Sequence, residues 1–223
     1  MEIRMLTVGP IAENCFIVNP EGTSKALVVD PGDEIERIMS PITEHGLEVE
    51  AILVTHCHFD HVGAVADLAE RTGAPVYCPE GEAPILADIN SFTMPGFGPY
   101  RDYNADHLLK GGELLDLAGV KLEVLSTPGH SPAHVTFLAR SHNVAFSGDV
   151  VFQGSVGRVD LPGGDWDTLL GSLRLLAGEL TPETQIFPGH GPATTMETEL
   201  AGNPFMVDLE PLPAGTEQRA GGE

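Results

Sequence analysis

Basic residues are scarce in this chain of 223 residues, which has 11 Lys and Arg against 33 Asp and Glu and a formal net charge of −22. A protein that binds the nucleic-acid backbone needs a basic face that displaces counterions, and this chain has too few cations to build one. An anionic membrane surface would repel the protein for the same reason. We therefore expect neither a nucleic-acid partner nor a membrane partner.

Cysteines and long apolar runs are scarce as well. The three cysteines, Cys15, Cys57 and Cys78, are odd in number and scattered, which is the pattern of neither a disulfide framework nor a CxxC zinc ribbon. Charges at Glu2 and Arg4 stand where a signal peptide needs an apolar core, and no apolar run approaches the ~20 residues that span a bilayer. The sequence predicts a cytoplasmic protein with reduced thiols.

The hydrophobic fraction of 42% is that of a globular protein. Short apolar stretches bounded by turn residues predict strands at 2–8, 14–18, 26–29, 51–55, 114–117, 120–125, 134–139, 144–146 and 185–187. Helical spacing predicts helices at 33–45, 60–71, 166–180 and near 194–200, although Pro41 weakens the second half of the first. This succession is typical of two mixed sheets packed face to face with helices outside. We expect one domain over residues 1–207 and a flexible C-terminal tail over 208–223.

The segment 91–110 breaks this pattern, because its Gly, Pro and aromatic residues show little periodicity. A loop of that length is usually a lid or the wall of a substrate pocket. Burial of the loop's own aromatic residues, Phe97, Tyr100 and Tyr103, is the alternative explanation. The sequence leaves both interpretations open.

Histidine and aspartate are concentrated in the segment 55–61 (THCHFDH), which follows a predicted strand and opens a predicted helix. Immediately after a strand, extended residues two apart point to the same side, so His56 and His58 can bind one cation together. The chain then turns into the helix, which directs Asp60 and His61 towards a neighbouring position. The pattern predicts a metal site rather than a solvated or structural histidine cluster.

Three further candidate ligands stand in loops that follow predicted strands: His130 in STPGHS, Asp149 in FSGD and His190 in FPGHGP. Taken singly, each is more often a turn residue than a ligand. Together they complete a set in which one metal has the ligands His56, His58 and His130, a second has Asp60, His61 and His190, and Asp149 is the anionic bridge. Such a set leaves room for water, which is typical of catalytic metal sites.

These residues resemble the metallo-β-lactamase superfamily, and the likeness extends from the opening strands and the segment 29–32 (VDPG) to the last helix. The segments 154–165 (GSVGRVDLPGGD) and 203–205 (NPF) resemble the short glyoxalase II-like (hydroxyacylglutathione hydrolase-like) hydrolases. The resemblance implies a protein of the α/β (α+β) class, a four-layer αββα sandwich with metals at one edge of its two sheets. It also implies a dinuclear hydrolase with two Zn²⁺ ions, for which iron or manganese can substitute.

The resemblance favours a thioesterase, in which Asp60 is catalytic and orients a metal-bridging hydroxide for attack on an acyl carbon. Acyl-homoserine lactonases share all seven ligands, so a lactonase or a promiscuous β-lactam hydrolase is the first alternative. An iron-dependent persulfide dioxygenase is the alternative from another class. That group commonly has Cys at the position of His134.

The likeness to glyoxalase II is incomplete at the residues that bind glutathione. That family places a basic residue and, two positions later, a Tyr against glutathione, whereas this chain has Arg158 and Asp160. Arg158 is therefore a candidate for binding a substrate carboxylate, and an ion pair with Asp160 or Asp165 is the alternative. We expect a small-molecule acyl substrate, such as a glutathione thioester. The sequence leaves the acyl group and the oligomeric state open.

Asp30 and His134 are candidates for residues that support the metal ligands from behind. Asp30 resembles the family's Asp that supports the metal-site histidines, and an ordinary turn Asp before Pro31 is the alternative. His134 can hydrogen-bond near the site or serve as a structural histidine. Cys57 stands between two ligands, and we expect its side chain to face away and pack.

Overall fold

The computed structural model of the protein describes residues 1–215. Its strands are β1 (Glu2–Val8), β2 (Glu13–Asn19), β3 (Lys25–Val29), β4 (Glu48–Leu53), β5 (Val76–Pro79), β6 (His107–Leu109), β7 (Leu114–Leu117), β8 (Val120–Ser126), β9 (Val135–Ala139), β10 (Val144–Gly148), β11 (Val151–Phe152), β12 (Ser155–Val156), β13 (Gln185–Pro188) and β14 (Thr194–Thr195). Its α-helices are α1 (Ile35–Glu44), α2 (Phe59–Val62), α3 (Val65–Thr72), α4 (Ala83–Leu86), α5 (Trp166–Glu179) and α6 (Met196–Gly202). None of the helices in residues 1–215 is both long enough and apolar enough to cross a bilayer.

The strands form two six-stranded mixed sheets and a small ribbon. The first sheet has the order β1-β2-β3-β4-β5-β6, the second has the order β14-β13-β10-β9-β8-β7, and β11 pairs with β12. Strands β3 to β6 run parallel to one another, as do β10 and β13. Because parallel strands end at the same edge of a sheet, the loops after β3, β4 and β5 share one edge of the first sheet.

The apolar runs are continuous because each sheet is buried on both faces. In β3, Ala26 and Val28 pack into a core that contains α1 and α3, whereas Leu27 and Val29 pack into the core between the sheets. The second sheet is covered on its outer face by α5 and α6, which pack in a third core. Three cores between four layers confirm the expected αββα sandwich.

Most predicted elements are confirmed, but the expectation of a single helix over 60–71 is wrong. The segment forms α2 and α3, separated by Gly63 and Ala64. The backbone N–H of Ala64 donates to the carbonyl oxygen of Pro31 at 3.0 Å, so contact with the turn after β3 replaces the helical hydrogen bond at this point. In α1 the helix continues through Pro41, and its buried residues include Ile38 and Ile42.

Strands β5 and β6 were not predicted. They have four and three residues, too few to show a period.

Part of the predicted tail is described: the N–H of Leu212 donates to the carbonyl oxygen of Arg174 in α5 at 3.0 Å, and Leu209 packs against the third core. The remainder of that prediction, residues 216–223, lies outside the described residues.

Gly32→Ala should destabilise the protein, because a Cβ at position 32 would overlap the carbonyl oxygen of Asp60 and stand 2.5 Å from Glu13 Oε2. Overpacking of this kind costs about 1–3 kcal/mol. Gly171→Ala is the control: a Cβ there, inside α5, meets no atom within 4 Å, and Ala stabilises a helix interior by about 0.5–1 kcal/mol relative to Gly. Urea unfolding measures both effects. Wild-type stability in Gly32→Ala would contradict the close approach of these two loops.

Candidate metal centre

The seven predicted ligands come together where loops from both sheets meet. His56 and His58 follow β4 in the first sheet, whereas His130, Asp149 and His190 follow β8, β10 and β13 in the second. Backbone hydrogen bonds join these loops: the N–H of Val135 donates to the carbonyl oxygen of Thr55 at 2.9 Å, and the N–H of Gly189 donates to that of Gly148 at 2.9 Å. The two sheets therefore build the site jointly.

The first ligand group consists of His56, His58 and His130. Its three ring nitrogens converge: His58 Nδ1 lies 3.0 Å from His56 Nε2 and 2.9 Å from His130 Nε2. Two of these rings are buried and the third is partly buried. Three imidazole nitrogens in this arrangement are a typical ligand set for a divalent transition metal.

The second ligand group consists of Asp60, His61 and His190. Asp60 Oδ2 lies 3.2 Å from His190 Nε2 and 4.0 Å from His61 Nε2. Asp149 lies between the two groups, with Oδ1 at 3.4 Å from His61 Nε2 and Oδ2 at 3.5 Å from His130 Nε2. The carboxylate of Asp149 thus faces both ligand groups.

Asp30 fixes two of the histidines from behind. Its carboxylate accepts hydrogen bonds from the Thr55 hydroxyl at 2.6 Å, the Thr55 N–H at 2.8 Å and His61 Nδ1 at 3.1 Å. Since the Thr55 hydroxyl donates to Asp30, it accepts from His56 Nδ1 at 3.1 Å. Both rings therefore carry a proton on Nδ1 and direct Nε2 into the site.

Two backbone carbonyl groups orient two further rings in the same way. His130 Nδ1 donates to the carbonyl oxygen of Arg158 at 2.8 Å, and His190 Nδ1 donates to that of Ala12 at 3.3 Å. A carbonyl oxygen can only accept, so the proton on each ring is placed on Nδ1. Ala12 itself has a φ of 60°, in the left-handed region that non-glycine residues rarely adopt.

Burial keeps two members of the first ligand group, His56 and His58, unprotonated. Burial and the surrounding imidazoles hold the pKa of His56 well below its ordinary value. Burial, together with His130, lowers the pKa of His58 from 6.5 to about 4. Neutral imidazole is the form that binds a metal, so these two rings are ready ligands at neutral pH.

The second ligand group favours positive charge. Burial opposes a charge on His61, but Asp149 and Asp30 outweigh it and raise the pKa of His61 well above its ordinary value. Burial also opposes a charge on His190, whose pKa Asp60 and Asp149 raise. The pKa of Asp149 stays well below its ordinary value, because His61 and His130 outweigh the effect of burial. A divalent cation would supply the positive charge that these carboxylates favour.

The donor atoms fit two divalent cations. His61 Nε2 and Asp149 Oδ1 are buried and have no hydrogen-bond partner among the described residues, although buried polar atoms are normally paired. Nitrogen donors of the first ligand group and mixed nitrogen and oxygen donors of the second suit zinc, iron or manganese. Each ligand group would hold one ion, and Asp149 would contact both.

His134 supports Asp149 through the backbone. His134 Nε2 accepts a hydrogen bond from the N–H of Asp149 at 3.1 Å, so its proton is on Nδ1, which donates to the Thr127 hydroxyl at 3.0 Å. The ring is fully buried. Cys57 faces away from the site, with its sulfur 3.5 Å from that of Cys78.

Asn14 and Glu13, at the start of β2, were not predicted as part of the site. The Asn14 amide donates to two carbonyl oxygens of the loop 188–191, at 3.0 and 2.8 Å, and so holds the loop that carries His190. Glu13 is buried beside His61, with Oε1 3.8 Å from Nδ1, and burial raises its pKa well above the ordinary value. In the sequence, the only indication of their role is that these two polar residues begin an otherwise apolar strand.

The ligand cluster opens into a cavity of about 690 Å³. The walls are largely apolar and include Ile11, Ile85, Phe92, Met94, Phe152, Val156 and Leu161. Phe92 and Met94 belong to the segment 91–110, which thus contributes a wall of the cavity. Farther along that segment, Phe97 packs on Phe59 with ring centroids 4.9 Å apart. The two interpretations of the loop therefore describe different parts of it.

A family model described as the metallo-β-lactamase superfamily matches residues 8–190, which include all seven ligands. The chain belongs to the metallo-β-lactamase superfamily. The superfamily fold, together with the two ligand groups, indicates a dinuclear metal site.

Three similar proteins show the range of the superfamily. The hydroxyacylglutathione hydrolase GloC of Haemophilus influenzae is 36% identical, over 92% of this chain and 98% of its own. The crystal structure of the BLEG-1 B3 metallo-β-lactamase is 36% identical, with a TM-score of 0.87 over 92% of this chain and 100% of that one. TTHA1623 in a di-iron-bound form is 40% identical, with a TM-score of 0.77 over 91% and 99%.

Replacing Asp149 with Ala should cost more activity than replacing His134 with Ala. The first change removes the carboxylate between the two ligand groups, so we expect loss of metal and a fall in kcat/KM of more than about 100-fold. The second change leaves all seven ligands and unpairs the buried N–H of Asp149, so we expect a fall of about tenfold. Metal analysis and steady-state kinetics of both variants check this order. Equal losses with intact metal content would contradict it.

Proposed function

We propose that this protein is a dinuclear metal-dependent thioesterase that hydrolyses a small-molecule acyl thioester in the cytoplasm, without a nucleic-acid or membrane partner. The observation that carries the proposal is the pair of ligand groups at the base of an apolar cavity, with Asp60 lining that cavity. Similarity to a hydroxyacylglutathione hydrolase over nearly the whole chain supports the thioester. Zn²⁺ is the proposed ion at both positions, and the di-iron-bound relative supports iron as an alternative.

Asp60 is proposed to orient the attacking water. Burial raises the pKa of its carboxyl group, but the hydrogen bond with His190 and the charge of His61 hold it below the ordinary value. The carboxylate is therefore ionised at neutral pH and can accept a hydrogen bond from water in the cavity. When bound, two divalent cations lower the pKa of a coordinated water to about 7 and polarise a substrate carbonyl group.

The site suits a thioester for two reasons: its leaving group needs little protonation, and the walls of the cavity are largely apolar. A thiol has a pKa of about 8.5, so a departing thiolate requires little protonation. The apolar side chains around the ligand cluster exclude water from the bound acyl group and strengthen the electrostatic interactions of Asp60 and Asp149. Similarity to BLEG-1 makes β-lactam hydrolysis the second candidate function, because an amide carbonyl group could occupy the same position.

The zinc-loaded protein should hydrolyse thioesters without oxygen. A screen of thioesters, lactones and β-lactams under nitrogen measures the preference directly, and we expect the highest kcat/KM for a thioester. A preference for a β-lactam or a lactone would contradict the thioesterase assignment and leave the hydrolase intact. Rapid oxygen uptake by the iron-loaded protein with glutathione persulfide would instead identify a persulfide dioxygenase.

Arg158 is proposed to bind a carboxylate of the substrate at the edge of the cavity. Its side chain is exposed and donates two hydrogen bonds to Asp160, at 2.6 and 2.7 Å. This ion pair is the alternative role foreseen from the sequence, and it occupies the planar fork that would bind a carboxylate. The ion pair between Arg158 and Asp160 must therefore break when a carboxylate-bearing substrate binds.

Arg158→Ala should raise KM about tenfold for carboxylate-bearing thioesters and change little for neutral ones, because one charge-assisted bidentate contact is lost. The backbone carbonyl group that orients His130 remains in this variant. Asp160→Ala is the matched control, since it frees the guanidinium group and should lower KM for the same substrates. Steady-state kinetics of both variants with paired substrates test this. Equal losses for neutral and anionic substrates would assign Arg158 to the scaffold.

A further inference from the structure

Glu82 is a fully buried carboxylate that precedes α4, with an exposed fraction of 0%. Its Oε2 accepts a hydrogen bond from the N–H of Cys57 at 3.2 Å. Its Oε1 accepts from the hydroxyl group of Ser131 at 2.7 Å and from the N–H of Ala133 at 3.0 Å. Each oxygen of this one side chain therefore binds a different loop.

The two loops that Glu82 joins are those of the first ligand group. Cys57 stands between His56 and His58, and Ser131 directly follows His130. The first loop follows a strand of one sheet and the second follows a strand of the other. Glu82 thus spans the junction between the sheets at the point where three imidazoles must converge on one ion.

The chemistry of the contacts requires a carboxylate. An ionised carboxylate only accepts hydrogen bonds, and all three groups that face Glu82 are donors. A glutamine side chain, which has the same shape, would turn its NH₂ group towards one of these donors. The hydrogen bond between position 82 and that loop would then be lost. Hydrogen bonds to an ionised acceptor are also about twice as strong as those between neutral groups.

We propose that Glu82 is a positioning residue that sets the separation of the His56–His58 loop from the His130 loop and thereby the affinity for the ion of the first ligand group. The second ligand group is held by other contacts, with His61 on Asp30 and His190 on the carbonyl oxygen of Ala12. The role of Glu82 is therefore specific to one of the two ions. This inference rests on the metal site of the proposed hydrolase and is independent of its substrate.

Glu199 offers a matched control. It is also buried, with an exposed fraction of 1%, and accepts three hydrogen bonds: from the N–H of Gly154 at 2.8 Å, the Thr194 hydroxyl at 2.5 Å and the Asn203 amide at 2.8 Å. These contacts involve neither ligand group. Glu199→Gln should therefore affect folding as Glu82→Gln does, without the effect on metal binding.

The test compares zinc binding by wild-type protein, Glu82→Gln and Glu199→Gln, each prepared free of metal and titrated against a chromophoric chelator. We expect one of the two zinc affinities to fall about 10–100-fold in Glu82→Gln, as is usual when a partner of a metal-ligating loop is lost. The other affinity should stay unchanged, and Glu199→Gln should keep both. Anomalous diffraction from Glu82→Gln crystals at limiting zinc should show the remaining ion beside the second ligand group.

Two outcomes would overturn the proposal: wild-type zinc affinities in Glu82→Gln, or equal weakening of both affinities in the two Gln variants. A wild-type protein that binds no zinc would contradict the hydrolase itself. Thermal unfolding of the metal-free proteins separates positioning from stability, since both Gln variants should lower the Tm to a similar extent. If Glu82→Gln does not fold, Ser131→Ala removes one donor alone, and it should weaken the same affinity by a smaller factor.

Discussion

Five imidazole rings and two carboxylates share one largely buried space, and the electrostatic cost of that crowding is the constraint on which the rest of the site depends. Buried polar groups need partners, and buried like groups repel. Around four of the five rings, those of His56, His61, His130 and His190, a carboxylate, a hydroxyl group or a backbone carbonyl group binds the ring nitrogen that faces away from the site. The inward-facing atoms are left for cations.

The crowded site also requires a strained backbone conformation and a close backbone contact. Asp30, which accepts three hydrogen bonds behind the ligands, has a φ of 48°, in a region that costs a non-glycine residue of order 1–3 kcal/mol. Its neighbour Gly32 approaches the backbone of Asp60 so closely that a Cβ would overlap it. Strain and close packing therefore concentrate around the second ligand group, where they fix the direction of Asp60 and His61.

The sequence predicted each metal ligand from a motif of a few residues, and it missed the long-range contacts that hold the ligand-bearing loops together. The segment 55–61 shows its ligand spacing within seven residues, and β3 shows two-sided burial within five. Glu82 and Ser131 are 49 residues apart, and Asn14 binds the carbonyl group of Pro188 across 174 residues. No spacing rule connects such pairs, because only the packing of one sheet on the other brings them together.

The central claim is that the two ligand groups hold two ions with Asp149 between them. Anomalous diffraction from crystals of the zinc-loaded protein tests it most directly. We expect two peaks roughly 3.5–4 Å apart, one beside the nitrogens of His56, His58 and His130 and the other beside Asp60, His61 and His190. A single peak in the fully loaded protein, or two peaks away from these side chains, would contradict it.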